Sequence, residues 1–216
     1  MGIDQFWFNS FSLDDLEKVN SAVFMFVDLF GLVRFERDSL IRFMLTVKKN
    51  YRRVPYHNWT HGFNVANCMY AILKRADGAF EPLEALSLFV GALCHDLDHR
   101  GKNNQFMMDS ASPLASIYTT STMEHHHFNQ TVTILQQDSQ NILSKLPTKE
   151  YKQVNNDRDY FLCSSYSKLK RCQLKSQKKI IVSELGCLIW IELVTVELKM
   201  TRETALCYPV FARNLV

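Results

Sequence analysis

One segment constrains the fold more than any other: LSLFVGALCHDLDHRG, Leu86–Gly101. Leu88–Cys94 is almost wholly apolar, so a helix made from it is buried nearly all round. Two histidines and two aspartates follow at once, at positions 95, 96, 98 and 99. Imidazole and carboxylate groups are costly to bury without partners. The chain must therefore build an internal polar site at the end of a central helix.

The rest of the sequence reads as helices around that one. Glycine and proline are few, 7 and 5, and apolar residues recur at helical spacing. Ser12 is the expected cap of a helix over Leu13–Leu32, with Asp14 and Asp15 in its first turn. Glu36–Lys49 is a second, with Leu40, Ile41, Met44 and Leu45 as its buried stripe. Asn58–Lys74 is a third. Pro82–Leu97 is a fourth, proline suiting the first turn, and Gly101 is a stop signal just beyond it. Pro113–Tyr118, Met123–Gln136 and a helix starting over Thr148–Val154 complete the pattern. No run alternates long enough for a sheet, so the expected class is all-α.

Beyond Val154 the texture changes. Residues 1–154 hold 15 Lys+Arg against 16 Asp+Glu, and residues 155–216 hold 10 against 6. The expected organisation is one domain over 1–154 and a tail of different character over 155–216, in part disordered. The apolar stretch Ile180–Leu198 is interrupted by Glu184, Glu192 and Glu197, a poor membrane span. The N-terminal sequence has no basic segment followed by an apolar core, so no secretory signal is expected. Six cysteines without such a signal read as reduced thiols in a cytoplasmic protein. The net charge of +3 gives no reason to expect nucleic acid as a partner.

Three constellations carry chemistry. His57 and His61 stand four apart in YHNWTHGFNV, a spacing that puts two imidazoles on one face of a helix. His95 and Asp96 end the apolar helix, with His99 a turn later and Asp98 able to orient a neighbour. In MEHHHF, Glu124 can act from behind a metal's immediate ligands, and His126 or His127 can face the same cavity. Histidines with an aspartate make a mixed N/O ligand set suited to zinc, or to a pair of ions whose harder member keeps its waters. Such a pair activates water and neutralises phosphoryl charge, which points to metal-assisted phosphoester hydrolysis.

YHNWTHGFNV, CHDLDHRGKNN and PLASIYTTSTMEHHHF, in that order, resemble the catalytic domain of class I 3',5'-cyclic nucleotide phosphodiesterases. FMLTVKKNYRRVPYHNW and ANCMYAIL look most like the dual-specificity type 10 subfamily. The resemblance covers roughly residues 13–154. It implies an all-helical hydrolase that opens the cyclic phosphate of cAMP or cGMP with zinc and usually magnesium, and that can form homodimers. It implies His57 as general acid and His61, His95 and Asp96 as zinc ligands, Asp96 also reaching a second metal. It implies His99 as a hydrogen-bond partner of water on the metals, and Glu124 as a carboxylate on the magnesium side. Asp98 and His127 are implied as supporting groups.

The sequence after Val154 departs from the family. Neither the motif with the fourth zinc ligand nor the glutamine and aromatic clamp for the purine is recognisable there. The expectation is a phosphodiesterase by family whose activity in this chain is impaired, or else an inactive metal-binding or interaction fragment. A different metal phosphohydrolase of the same general kind fits YHNWTH and MEHHHF less well.

Overall fold

The computed structural model describes residues 2–76, 78–119 and 121–150. Seven α-helices lie wholly within the described residues: α1 (Asp15–Phe30), α2 (Arg37–Asn50), α3 (Trp59–Arg75), α4 (Pro82–Cys94), α5 (Asn104–Asp109), α6 (Pro113–Ile117) and α7 (Thr122–Leu135). Short 3-10 turns at Ser10–Ser12 and Asp138–Gln140 flank them. Among the described residues every regular element is helical, as the all-α expectation required. The expected break at Asn155, most of the last expected helix, the Ile180–Leu198 stretch and four of the cysteines lie outside the described residues.

Local signals placed most helices and misplaced some ends. Asp14, not Ser12, caps α1: its Oδ1 accepts from Leu16 N at 2.7 Å and Glu17 N at 2.8 Å. Glu17 Oε2 returns the bond by accepting from Asp14 N at 2.7 Å, a reciprocal box. Ser12 lies instead in the preceding 3-10 turn. The buried face of α2 is Leu40, Phe43, Met44 and Val47, while Leu45 is exposed. Phe43 and Val47 complete the i, i+3, i+4, i+7 row that the expected stripe missed. Helix α4 ends at Cys94 rather than Leu97, with His95 as its cap and 95–98 in turns. The short α5 was not expected, although Asn103 caps it by accepting from Phe106 N at 2.9 Å.

Helix α4 lies at the centre, with Leu86, Phe89, Val90, Leu93 and Cys94 all in one core cluster with Phe26, Phe43, Phe63 and Leu135. Phe26 of α1 meets Phe30, Phe35 and Phe89 edge-on at 5.0–6.2 Å, the favoured geometry for aromatic rings. Cys68 and Cys94 are buried free thiols, and burial pushes the Cys94 thiol well up, so it packs as an apolar side chain. Among the described residues no helix is long and apolar enough to cross a membrane.

Candidate metal centre

The turn after α4 is anchored before it carries any chemistry. Tyr51, just past α2, is buried and its Oη donates to Leu93 O at 2.9 Å. The same oxygen accepts from Asp96 N at 3.4 Å. Tyr51 thus fixes the end of α4 to the end of α2. Nothing in the spacing of the sequence marks it for that task.

His61 rises from the first turn of α3, whose cap Asn58 accepts from His61 N at 3.3 Å. His61 Nε2 lies 3.0 Å from His95 Nε2. Asp96 Oδ2 lies 3.1 Å from His95 Nε2 and 3.5 Å from His61 Nε2. His95 Nδ1 is 2.8 Å from Ala92 O. A carbonyl can only accept, so Nδ1 carries the hydrogen and Nε2 of the neutral ring is a bare lone pair. Two imidazole nitrogens at 3.0 Å attract only with a proton or a cation between them.

Asp96 Oδ2 is buried and makes no hydrogen bond. Burial alone would raise the Asp96 carboxyl, but His95, His127 and His57 outweigh it and hold the group well below the usual carboxylate range. A buried anionic oxygen without a hydrogen-bond donor, facing two imidazole nitrogens, fits a divalent cation. The three ligand atoms lie within 4.8 Å of one another. The carbonyl behind His95 also fixes the ring in the ligand tautomer, as supporting contacts do in metal sites.

His57 comes to the same place by a different route from the one expected. It precedes α3 rather than sharing a helical face with His61. The two ring centroids are 5.8 Å apart, and His57 stacks on His99 at 3.9 Å. His99 Nδ1 accepts from Gly101 N at 2.9 Å, so its Nε2 bears the hydrogen. Gly101 has φ +71°, a conformation glycine adopts without strain, and that turn aims its N–H back at the ring.

His127 is buried on α7, its Nδ1 2.5 Å from Leu97 O and its Nε2 3.7 Å from Asp96 Oδ1. Burial first of all lowers its pKa from 6.5 to about 4, so the ring is neutral near pH 7. Asp98 turns away from Asp96: it accepts from Arg52 at 2.5 Å and Arg100 at 2.8 Å, and pairs with His126 at 2.7 Å. Burial opposes ionisation of Asp98, but those three partners hold its carboxyl down. Glu124 is exposed and accepts from Asn104 Nδ2 at 2.9 Å. Asn104 Oδ1 also accepts from Met123 N at 2.9 Å, a cap that joins α5 to α7. Sequence reasoning missed Tyr51, Arg52 and Asn104; the asparagine pair in GKNNQ was the one available cue.

Residues 56–158 match the family model for 3'5'-cyclic nucleotide phosphodiesterase. The helices and the histidine–aspartate cluster described above fall largely within that segment. Over that segment the chain is similar to 3'5'-cyclic nucleotide phosphodiesterase domains.

A probable 3',5'-cyclic phosphodiesterase, pde-5, of Caenorhabditis elegans is 60% identical over 148 residues, covering 68% of this chain and 20% of the relative. A dual 3',5'-cyclic-AMP and -GMP phosphodiesterase 11A of Takifugu rubripes is 47% identical over 156 residues, 70% of this chain and 17% of the relative. A cGMP-specific 3',5'-cyclic phosphodiesterase of Drosophila melanogaster is 47% identical over 153 residues, 69% and 14%. The chain spans about a fifth or less of the length of these relatives. None of the three names is of the type 10 subfamily, and that finer expectation finds no support in them.

Proposed function

We propose that this phosphodiesterase segment serves metal-dependent hydrolysis of 3',5'-cyclic nucleotides, cAMP or cGMP, to 5'-nucleotides in signal transduction. The observation that carries the reading is the orphaned Asp96 Oδ2 between His61 and His95. Those three residues would hold zinc, and the outer oxygen of Asp96 would face a second ion such as magnesium. Divalent metals there would supply Lewis-acid activation of the phosphoryl group and of water. The names of the relatives include dual and cGMP-specific enzymes, which supports a cyclic nucleotide substrate of either base.

The remaining roles fall to the chain's own side chains. Hydrolysis adds water across the phosphorus–O3' bond, and the departing oxygen needs a proton. His57, half-buried and stacked on His99, is the group proposed to give it, a general-acid role commonly worth about 10²–10⁴-fold. The N–H that His99 keeps on Nε2 is proposed to donate to water at the metals. Glu124, held by Asn104, is the carboxylate proposed to act from the magnesium side. Asp98 supports from outside by holding His126, Arg52 and Arg100.

The protein is proposed to work in the cytoplasm, and homodimers would follow the family pattern. Among the described residues the site offers three zinc ligands and no recognisable purine clamp, so turnover by the 216-residue chain is expected to be low. The test loads the purified chain with zinc and magnesium and follows cAMP and cGMP beside a His95→Ala control. Slow hydrolysis that the control lacks supports the assignment. No hydrolysis above the control at any metal concentration favours a metal-binding fragment instead, and fast turnover contradicts the impairment.

A further inference from the structure

We infer that Tyr51 is a positioning residue of the metal centre: its hydroxyl draws Asp96 N–H away from Ala92 O and so keeps His95 in the tautomer that can bind a cation. The inference rests on the reading that His61, His95 and Asp96 form that centre, and concerns what stops α4 where the ligands begin. In a helix that ran on past Cys94, Asp96 N would donate to Ala92 O, the fourth carbonyl back. Here Ala92 O faces His95 Nδ1 at 2.8 Å, and Asp96 N donates to Tyr51 Oη at 3.4 Å. One carbonyl has two claimants on adjacent residues, the peptide N–H of Asp96 and the ring N–H of His95. A carbonyl has two lone pairs, but both donors come to Ala92 O from the C-terminal end of the helix, so each weakens the other.

The hydroxyl is aimed at Asp96 by what it donates to. Leu97 N, which would serve Leu93 O in a longer helix, donates to Cys94 O at 3.2 Å. Leu93 O takes the Tyr51 Oη hydrogen instead, at 2.9 Å. A hydroxyl has one hydrogen and two lone pairs, so the lone pairs are left for Asp96 N. The preceding residue acts in the same sense, because Asp98 N donates to Asn50 O at 2.9 Å rather than to Cys94 O. Residues 50 and 51 thus take two of the N–H groups that would carry α4 onward. Tyr51 is only 6% exposed and rests beside Trp59, ring centroids 6.1 Å apart, so the hydroxyl is in place before any cation arrives. A longer helix would act against the ligands. With Asp96 N back on Ala92 O, the hold on His95 Nδ1 weakens, and a hydrogen moved to Nε2 would cover the lone pair that faces His61 and Asp96.

The test compares the full chain with Tyr51→Phe, which keeps the ring and removes the hydroxyl. Long-range ¹H–¹⁵N spectra of the histidine-labelled, metal-free proteins read the His95 tautomer, and calorimetric titration reads zinc. The unmodified chain is expected to carry the His95 hydrogen on Nδ1. In Tyr51→Phe the Nε2–H form is expected to rise and zinc affinity to fall about 10-fold or more, the range for groups that orient a ligand. A Tyr51 that only stabilised the fold would lower the unfolding midpoint and leave the tautomer where it was. An unchanged tautomer in the variant therefore overturns the inference. So does an Nε2–H His95 in the unmodified chain, a result that decides the matter even if the variant does not fold. No zinc binding by the unmodified chain overturns the proposed metal centre and the role of Tyr51 with it, whereas zinc binding that Tyr51→Phe leaves unchanged overturns that role alone.

Discussion

Asp98 sits at φ +60° with Arg52, Arg100 and His126 on its two oxygens. Asparagine tolerates that backbone conformation nearly as well, so Asp98→Asn removes the charge and little else. The expected loss is about 1–3 kcal/mol in denaturant unfolding, the range for hydrogen bonds to charged groups. Zinc affinity should change little, because the Asp98 carboxylate points away from Asp96. A zinc affinity that falls as far as in His95→Ala would contradict that separation. His127 contributes to the pH dependence of the metal-free chain's stability. Its folded pKa, about 4, lies below the ordinary 6.5 because burial disfavours the charged ring. The unfolded chain therefore binds the extra proton first. The stability carried by the neutral ring is complete above about pH 6.5 and is lost as the pH falls through 4. Asp96, also held low, gives a dependence of the same sign. Thermal unfolding from pH 7 to 4.5 should show a falling midpoint, less steep in His127→Gln; a flat profile would rule the account out.

At the scale of elements, α1 is tied to its neighbours by packing and by polar contacts, Tyr70 and Lys74 of α3 both meeting Asp28. Phe26 is fully buried among Phe30, Phe35 and Phe89. Phe26→Ala should cost about 3–5 kcal/mol, the range for a large ring removed from a packed core. Tyr70 of α3 donates to Asp28 Oδ2 of α1 at 2.7 Å, and Tyr70→Phe should cost about 1 kcal/mol. Equal losses for the two, measured by urea unfolding, would mean that packing does not dominate this interface. The elements also show what periodicity can and cannot reveal. Apolar spacing marked the long helices because burial of one face is a local pattern. It left the α2 stripe incomplete, since Ile41 and Leu45 are as apolar as Phe43 and Val47 and only the neighbours decide which are covered. The cap of α1 was misassigned because Ser12, Asp14 and Asp15 all carry capping oxygens, and the reciprocal partner Glu17 picks out Asp14.

For the molecule as a whole, the clustering of His61, His95 and Asp96 was legible because α4 cannot be buried without partners for the polar groups at its end. His57 was rightly joined to His61 and wrongly placed on its helix. What brings it in is a stack on His99, a contact 42 positions away in sequence that no spacing rule expresses. Tyr51 on Asp96 N, and Leu97 O behind His127, were invisible for a related reason: each is a bond between a side chain and distant backbone. Tertiary packing creates such bonds, and residue types do not announce them. The central claim is that His61, His95 and Asp96 together hold a divalent ion. Calorimetric titration of the full chain with zinc at neutral pH, beside His95→Ala, tests it most directly. The account predicts saturable binding that weakens about 10–100-fold or more in the variant; equal affinity in the two proteins would contradict it.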